Sequence, residues 1–119
     1  MSARSIGIEL EHLALEPGSV LRGRVRVPAP SGDSKRQVEL SVQWETQGKG
    51  DTDRGVVLFE ELAAAEQQEL EHAFEVRLPL LPVSWDGTLL KVRWIVRVRC
   101  FVGGDETREE REVHVRWPT

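Results

Sequence analysis

The feature that most constrains this chain is an alternation of apolar and polar residues with a period of two, which builds strands with one dry face rather than helices. Residues 37–45 read QVELSVQWE, with Val38, Leu40, Val42 and Trp44 on one face and Gln37, Glu39, Ser41, Gln43 and Glu45 on the other. VLRGRVRV sets Leu21, Gly23, Val25 and Val27 against Arg22, Arg24 and Arg26. ELEHAFEVRL sets Leu70, His72, Phe74, Val76 and Leu78 against Glu69, Glu71, Ala73, Glu75 and Arg77. The longest run, LLKVRWIVRVRCF, places Leu90, Val92, Trp94, Val96, Val98 and Cys100 opposite Lys91, Arg93, Arg97 and Arg99, with Ile95 interrupting the polar side.

Shorter strands are predicted in IGIEL, HLAL, GVVLF and REVHVRW, and the turn-rich pieces EPGS, PAPSGDS, TQGKGDTDRG, PVSWDG and VGGDET separate them. Seven to nine strands at this spacing predict an all-β protein, an antiparallel two-sheet Ig-like sandwich. ELAAAEQQELEH has a helix-favouring composition. Its second half belongs to the alternation, so residues 60–67 are expected to form a loop with one helical turn at most.

Length and composition bound the rest. A chain of 119 residues predicts one domain spanning residues 1–119, long enough to bury a core without staples. The single cysteine, Cys100, permits no intrachain disulfide and favours a reducing, cytoplasmic setting. MSARSIGIELEHLAL has neither the apolar stretch nor the cleavage site of a secretory leader, and no window is long enough to insert in a membrane. The net charge of −4, with both signs interspersed, argues against nucleic acid, which demands a basic stripe.

LPLLPVSWDGTL, residues 78–89, poses the sharpest question about architecture. Pro79 and Pro82 cannot donate to a ladder, so the preceding strand should stop near Leu78. The prolines argue against a tight hairpin at Asp86-Gly87 and for a crossing between sheets, its aliphatic residues and Trp85 plugging the open end of the sandwich.

In order along the chain, PGSVLRGRVRV, VELSVQWETQGKG and FEVRLPLLPVSWDGTLLKVRWIVRV resemble the arrestin-like family, with its glycine-spaced "PGxxxxGxVxV" strand and its "LPxxPxSxxG" crossing into a long alternating strand. The residues that match are Pro17, Gly18, Gly23, Val25 and Val27, then Pro79, Pro82, Ser84, Gly87 and Trp94. The resemblance covers nearly the whole chain, residues 6–115. It implies a sandwich that binds other proteins as an adaptor or scaffold. Typical family members carry two such sandwiches in tandem, and this length suits one, so pairing with itself or with a second arrestin-like chain is also expected.

Chemistry is sparse. Cys100 lies on the apolar side among valines, where a thiol acts as a small hydrophobe. His12, His72 and His114 are scattered rather than set at metal-ligand spacing. GKG lacks the rest of a phosphate loop. Asp51 and Asp53, with Asp105 and Glu106 as further candidates, could offer oxygen ligands to calcium at one end of the sandwich, but the full loop grammar of a calcium motif is lacking, which favours a plain solvated loop. No nucleophile, base and metal are grouped, so no enzyme and no cofactor are expected. The arginine faces suit cross-strand pairing with glutamates better than a free basic surface. The candidate partner-binding residues are Lys49, Asp51 and Asp53 in the glycine-rich loop, and Arg93, Ile95 and Arg97 on the long strand. The leading expectation is a protein-binding adaptor; the alternative is a structural, self-associating subunit of a larger complex.

Overall fold

The computed structural model describes residues 5–30, 35–48, 50, 52–62 and 68–118. Among these are nine strands: β1 Gly7–Leu10, β2 Ala14–Leu15, β3 Val20–Val27, β4 Arg36–Gly48, β5 Arg54–Leu62, β6 Leu70–Arg77, β7 Trp85–Asp86, β8 Leu90–Val102 and β9 Asp105–Val115. They form two sheets, β1-β3-β6 and β2-β9-β8-β4-β5, with β7 added beside β8. The all-β sandwich and the strand count agree with the alternation. Pairing is antiparallel throughout except where β2, which falls within the predicted HLAL strand, runs parallel to β9.

The alternating residues bury as their spacing requires. Leu21, Val25 and Val27 of β3, Val38, Leu40 and Val42 of β4, and Trp94, Val96 and Val98 of β8 are almost wholly shielded. With Phe74, Leu78, Val113 and Val115 they form one continuous core. Each such side chain contributes about 1.5–3 kcal/mol on burial, so this cluster is the main drive to fold. Cys100 is part of it, and burial pushes its thiol up from the ordinary range.

Turn chemistry sets the connections. Glu16-Pro17-Gly18-Ser19 closes with Ser19 N–H donating to the Glu16 carbonyl, and Gly18 takes the positive φ of 80° that such a Pro-Gly turn needs. Gly103, at φ 60°, and Gly104 join β8 to β9, whose pairing begins at Val102 and Asp105. Asp105 and Glu106, expected in a turn, therefore already belong to a strand. Residues 60–62 are strand as well, the end of β5, because Glu60, Glu61 and Leu62 pair with Leu40, Glu39 and Val38. The expected helical turn falls on residues 63–67, which lie outside the described residues.

The crossing after β6 behaves only partly as expected. The strand stops at Arg77, and Leu78 is buried with its N–H on the Ser19 carbonyl. Ser84 then reaches the other sheet, its N–H donating to the Val115 carbonyl while its Oγ accepts from the Val115 N–H at 2.9 Å. The expectation against a tight hairpin is corrected: Trp85 and Asp86 pair with Val92 and Lys91, and Gly87 N–H bonds the Leu90 carbonyl. Prolines end one strand without preventing the next from starting three residues later.

Candidate functional site

The two sheets differ in length. β4 and β8 have thirteen residues each, roughly 43 Å of strand, against eight in β3 and β6, roughly 26 Å. The crossing closes the mouth between the sheets at Trp94, whose indole N–H donates to the Pro82 carbonyl at 2.9 Å. Beyond that point the larger sheet continues alone. Trp85 lies opposite the inward-facing Val92, and Leu90, four residues from Trp94, is carried roughly 13 Å further along the same face. Trp117 follows Val113 and Val115 by the same alternation.

This overhang gathers exposed apolar surface. Among the described residues the large hydrophobics left mainly in water are Leu13, Val56, Phe59, Leu80, Leu81, Trp85, Leu89, Leu90 and Trp117. Leu80, Leu81, Trp85, Leu89, Leu90 and Trp117 all belong to the crossing, the β7–β8 hairpin and the segment after β9, which meet at this end; Leu13 stands beside it, its carbonyl accepting from His114 N–H. Trp85 is 59% exposed and Leu81 71%, which corrects the expectation that they plug the sandwich. The plug is Leu78 and Trp94. Large hydrophobics scattered singly over a surface need no explanation, whereas six of these gather at one end.

The candidate binding residues singled out in the sequence are not the exposed apolar ones. Lys49 and Asp51 lie outside the described residues. Asp53 closes the β4–β5 hairpin: its carbonyl accepts from Thr46 N–H at 2.8 Å, its own N–H donates to Thr46 Oγ1, and its Oδ1 accepts from Arg54 N–H. Asp105 and Glu106 sit at the other end of the sheet, across β8 from Arg36, so the acidic grouping imagined for calcium is not assembled from them. Among the described residues no three His, Cys, Asp or Glu side chains are grouped to hold a metal.

Arg93 and Arg97 lie on the outward face of β8, held by carboxylates. Arg93 pairs with Glu45 at 3.6 Å and Glu112 at 3.2 Å, and Arg97 pairs with Glu110. Arg22 pairs with Glu75, Arg26 with Glu69, and Arg99 with Glu39 and Glu106. Cross-strand pairing is thus what these arginines do, with β9 supplying glutamates that the sequence reading had not enlisted. Ile95, expected to present an apolar spot, is fully buried instead. It sits between the two tethered arginine stems with Gln43 and Glu112 across from it. Ser41 and Gln43 beside it are also buried, and among the described residues Gln43 Nε2 has no hydrogen-bond partner.

At the end opposite the overhang the sheets part around a cavity of about 530 Å³, lined in part by Ile6, Val27, Arg36, Cys100, Val102 and Thr107. Arg36 spans its rim, donating to the Pro28 and Gln68 carbonyls. His72 is half-buried at the edge of the core, its Nε2 3.1 Å from Glu60 Oε2. Among the described residues no helix is long and apolar enough to cross a membrane.

No family model matches the sequence, and no curated protein does. Solved structures do match the fold. The sporulation control protein Spo0M from Bacillus subtilis superposes over 99% of this chain and 51% of its own, with a TM-score of 0.69 and 17% identity. A β-glucosidase from Listeria innocua in complex with gluconolactone matches 93% of this chain and 16% of its own, with a TM-score of 0.50 and 19% identity. The chain therefore has an arrestin-like sandwich fold and spans about half the length of Spo0M.

Proposed function

We propose that the chain is a protein-binding module of the adaptor or scaffold kind, docking its partner on the overhanging apolar end rather than catalysing a reaction. The observation that carries this reading is the concentration of Leu80, Leu81, Trp85, Leu89, Leu90 and Trp117 where the larger sheet outruns the smaller. Trp85 and Leu90 stand on strands β7 and β8 and the other four on the segments beside them, and tryptophan is among the residues that dominate binding energy at interfaces. The arrestin-like fold, shared with a regulatory protein, is consistent with it.

The test compares the wild-type domain with a Leu81→Asp/Trp117→Ser variant of unchanged circular dichroism. A protein captured by the wild type, purified, and shown to bind it directly should lose at least about tenfold in affinity for the variant, as hot-spot removal requires. Equal affinity for both, or no directly binding protein that tells them apart, contradicts the reading. Self-association, the alternative expectation, is supported by a different part of the surface.

A further inference from the structure

β5 is the outer strand of the larger sheet: among the described residues it pairs with β4 alone, and β6 of the smaller sheet approaches it through His72, which meets Glu60. Exposed edges are usually blunted by brevity, lysine, proline, a bulge or an inward-pointing charge. β5 runs nine residues, RGVVLFEEL, with neither lysine nor proline; it carries a bulge, and its inward Glu60 is held by His72.

Its bulge produces an uncommon order of faces. The register shifts between Val42 and Gln43, leaving Val57 as the extra residue on β5. Arg54, Val56, Phe59 and Glu61 consequently face outward, opposite Glu45, Gln43, Ser41 and Glu39. Gly55, Val57, Leu58 and Glu60 turn inward, and Val57 and Leu58 pack on the core. Out-in-out-in is followed by in-out-in-out: the pattern reads alike from both ends about a point between Val57 and Leu58. Val56 is 51% exposed and Phe59 55%.

We propose that a second copy of this chain adds antiparallel to β5, with a twofold axis between Val57 and Leu58, joining two larger sheets into one. In this register Arg54 faces the partner's Glu61 and Val56 faces the partner's Phe59, each contact occurring twice. A slip of one residue would set outward side chains against inward ones, and a slip of two would break the charge match, so the pairing is specified. The charges also want partners. Glu61 lies opposite Glu39, a like-charged neighbour engaged by Arg99, while Arg54 faces a Glu45 already engaged by Arg93. This surface is separate from the apolar end, so dimerisation and partner docking succeed or fail independently.

Sedimentation velocity over a micromolar-to-millimolar series tests it. The wild-type chain should dimerise, and Arg54→Glu or Glu61→Arg alone should weaken the dimer about a hundredfold, because the symmetry doubles each like-charged contact. The double reversal R54E/E61R should recover wild-type dimerisation to within a few-fold, a rescue that misfolding cannot mimic. A wild type monomeric throughout, a dimer indifferent to the single reversals, or a double variant no better than either single one would overturn the proposal. Should a single variant fail to fold, amide exchange in the wild type decides: protection along residues 54–61 rising with concentration supports the pairing, and flat protection refutes it.

Discussion

Gly55 carries no side chain because Trp44 lies across it: a Cβ there would stand 2.4 Å from the indole nitrogen. Gly55→Ala should therefore cost about 1–3 kcal/mol through overpacking, read from urea midpoints at unchanged m. Trp94 is buried completely and bonded to Pro82, so Trp94→Ala should cost about 3–5 kcal/mol. Glu106 responds to acid. The hydrogen bond from Arg99, opposed by partial desolvation and aided by the charges of Arg99, Arg108 and Arg97, holds its carboxyl below the ordinary range. Its stabilising effect is thus complete above the unfolded carboxylate value and fades as pH falls through the lowered folded one. Glu106→Gln should be less stable than wild type at neutral pH, and the gap should narrow on acidification. A gap independent of pH would mean the charge is irrelevant.

At the level of elements, the crossing offers a contrast between two leucines three residues apart. Leu78→Ala should cost about 2–5 kcal/mol, since Leu78 is buried, whereas Leu81→Ser should stay within about 0.5 kcal/mol, since Leu81 is exposed. Thermal unfolding of the two variants checks both values. The same contrast shows what the sequence made legible. β3, β4, β6 and β8 could be read from alternation because their faces differ sharply in polarity, and Arg22, Arg24 and Arg26 remain in water as that pattern requires. Trp85 could not be placed in that way. Its exposure depends on β8 outrunning β3 and β6, a mismatch between sheets that no local period records. Ile95 was misread for a similar reason: it is covered by arginines that glutamates from β9 hold down, and that partner strand is set by topology.

For the molecule as a whole, a sandwich of unequal sheets needs only one end closed by its own chain. Trp94 and Leu78 finish the interior at the crossing of a molecule 49 Å long; Trp85 and Leu90 are carried past it on the larger sheet, and Leu80, Leu81, Leu89 and Trp117 stand on the segments beside it. The interior is thus divided from the exposed apolar end by where the smaller sheet stops. Acrylamide quenching of the wild-type chain beside single Trp→Phe variants at positions 44, 85, 94 and 117, each of unchanged circular dichroism, assigns a rate to each tryptophan by difference and tests this division most directly. Trp85 and Trp117 should quench nearly as freely as tryptophan in an unfolded chain, Trp44 at an intermediate rate, and Trp94 hardly at all. Shielded Trp85 and Trp117 in the monomeric chain, or an accessible Trp94, would contradict it.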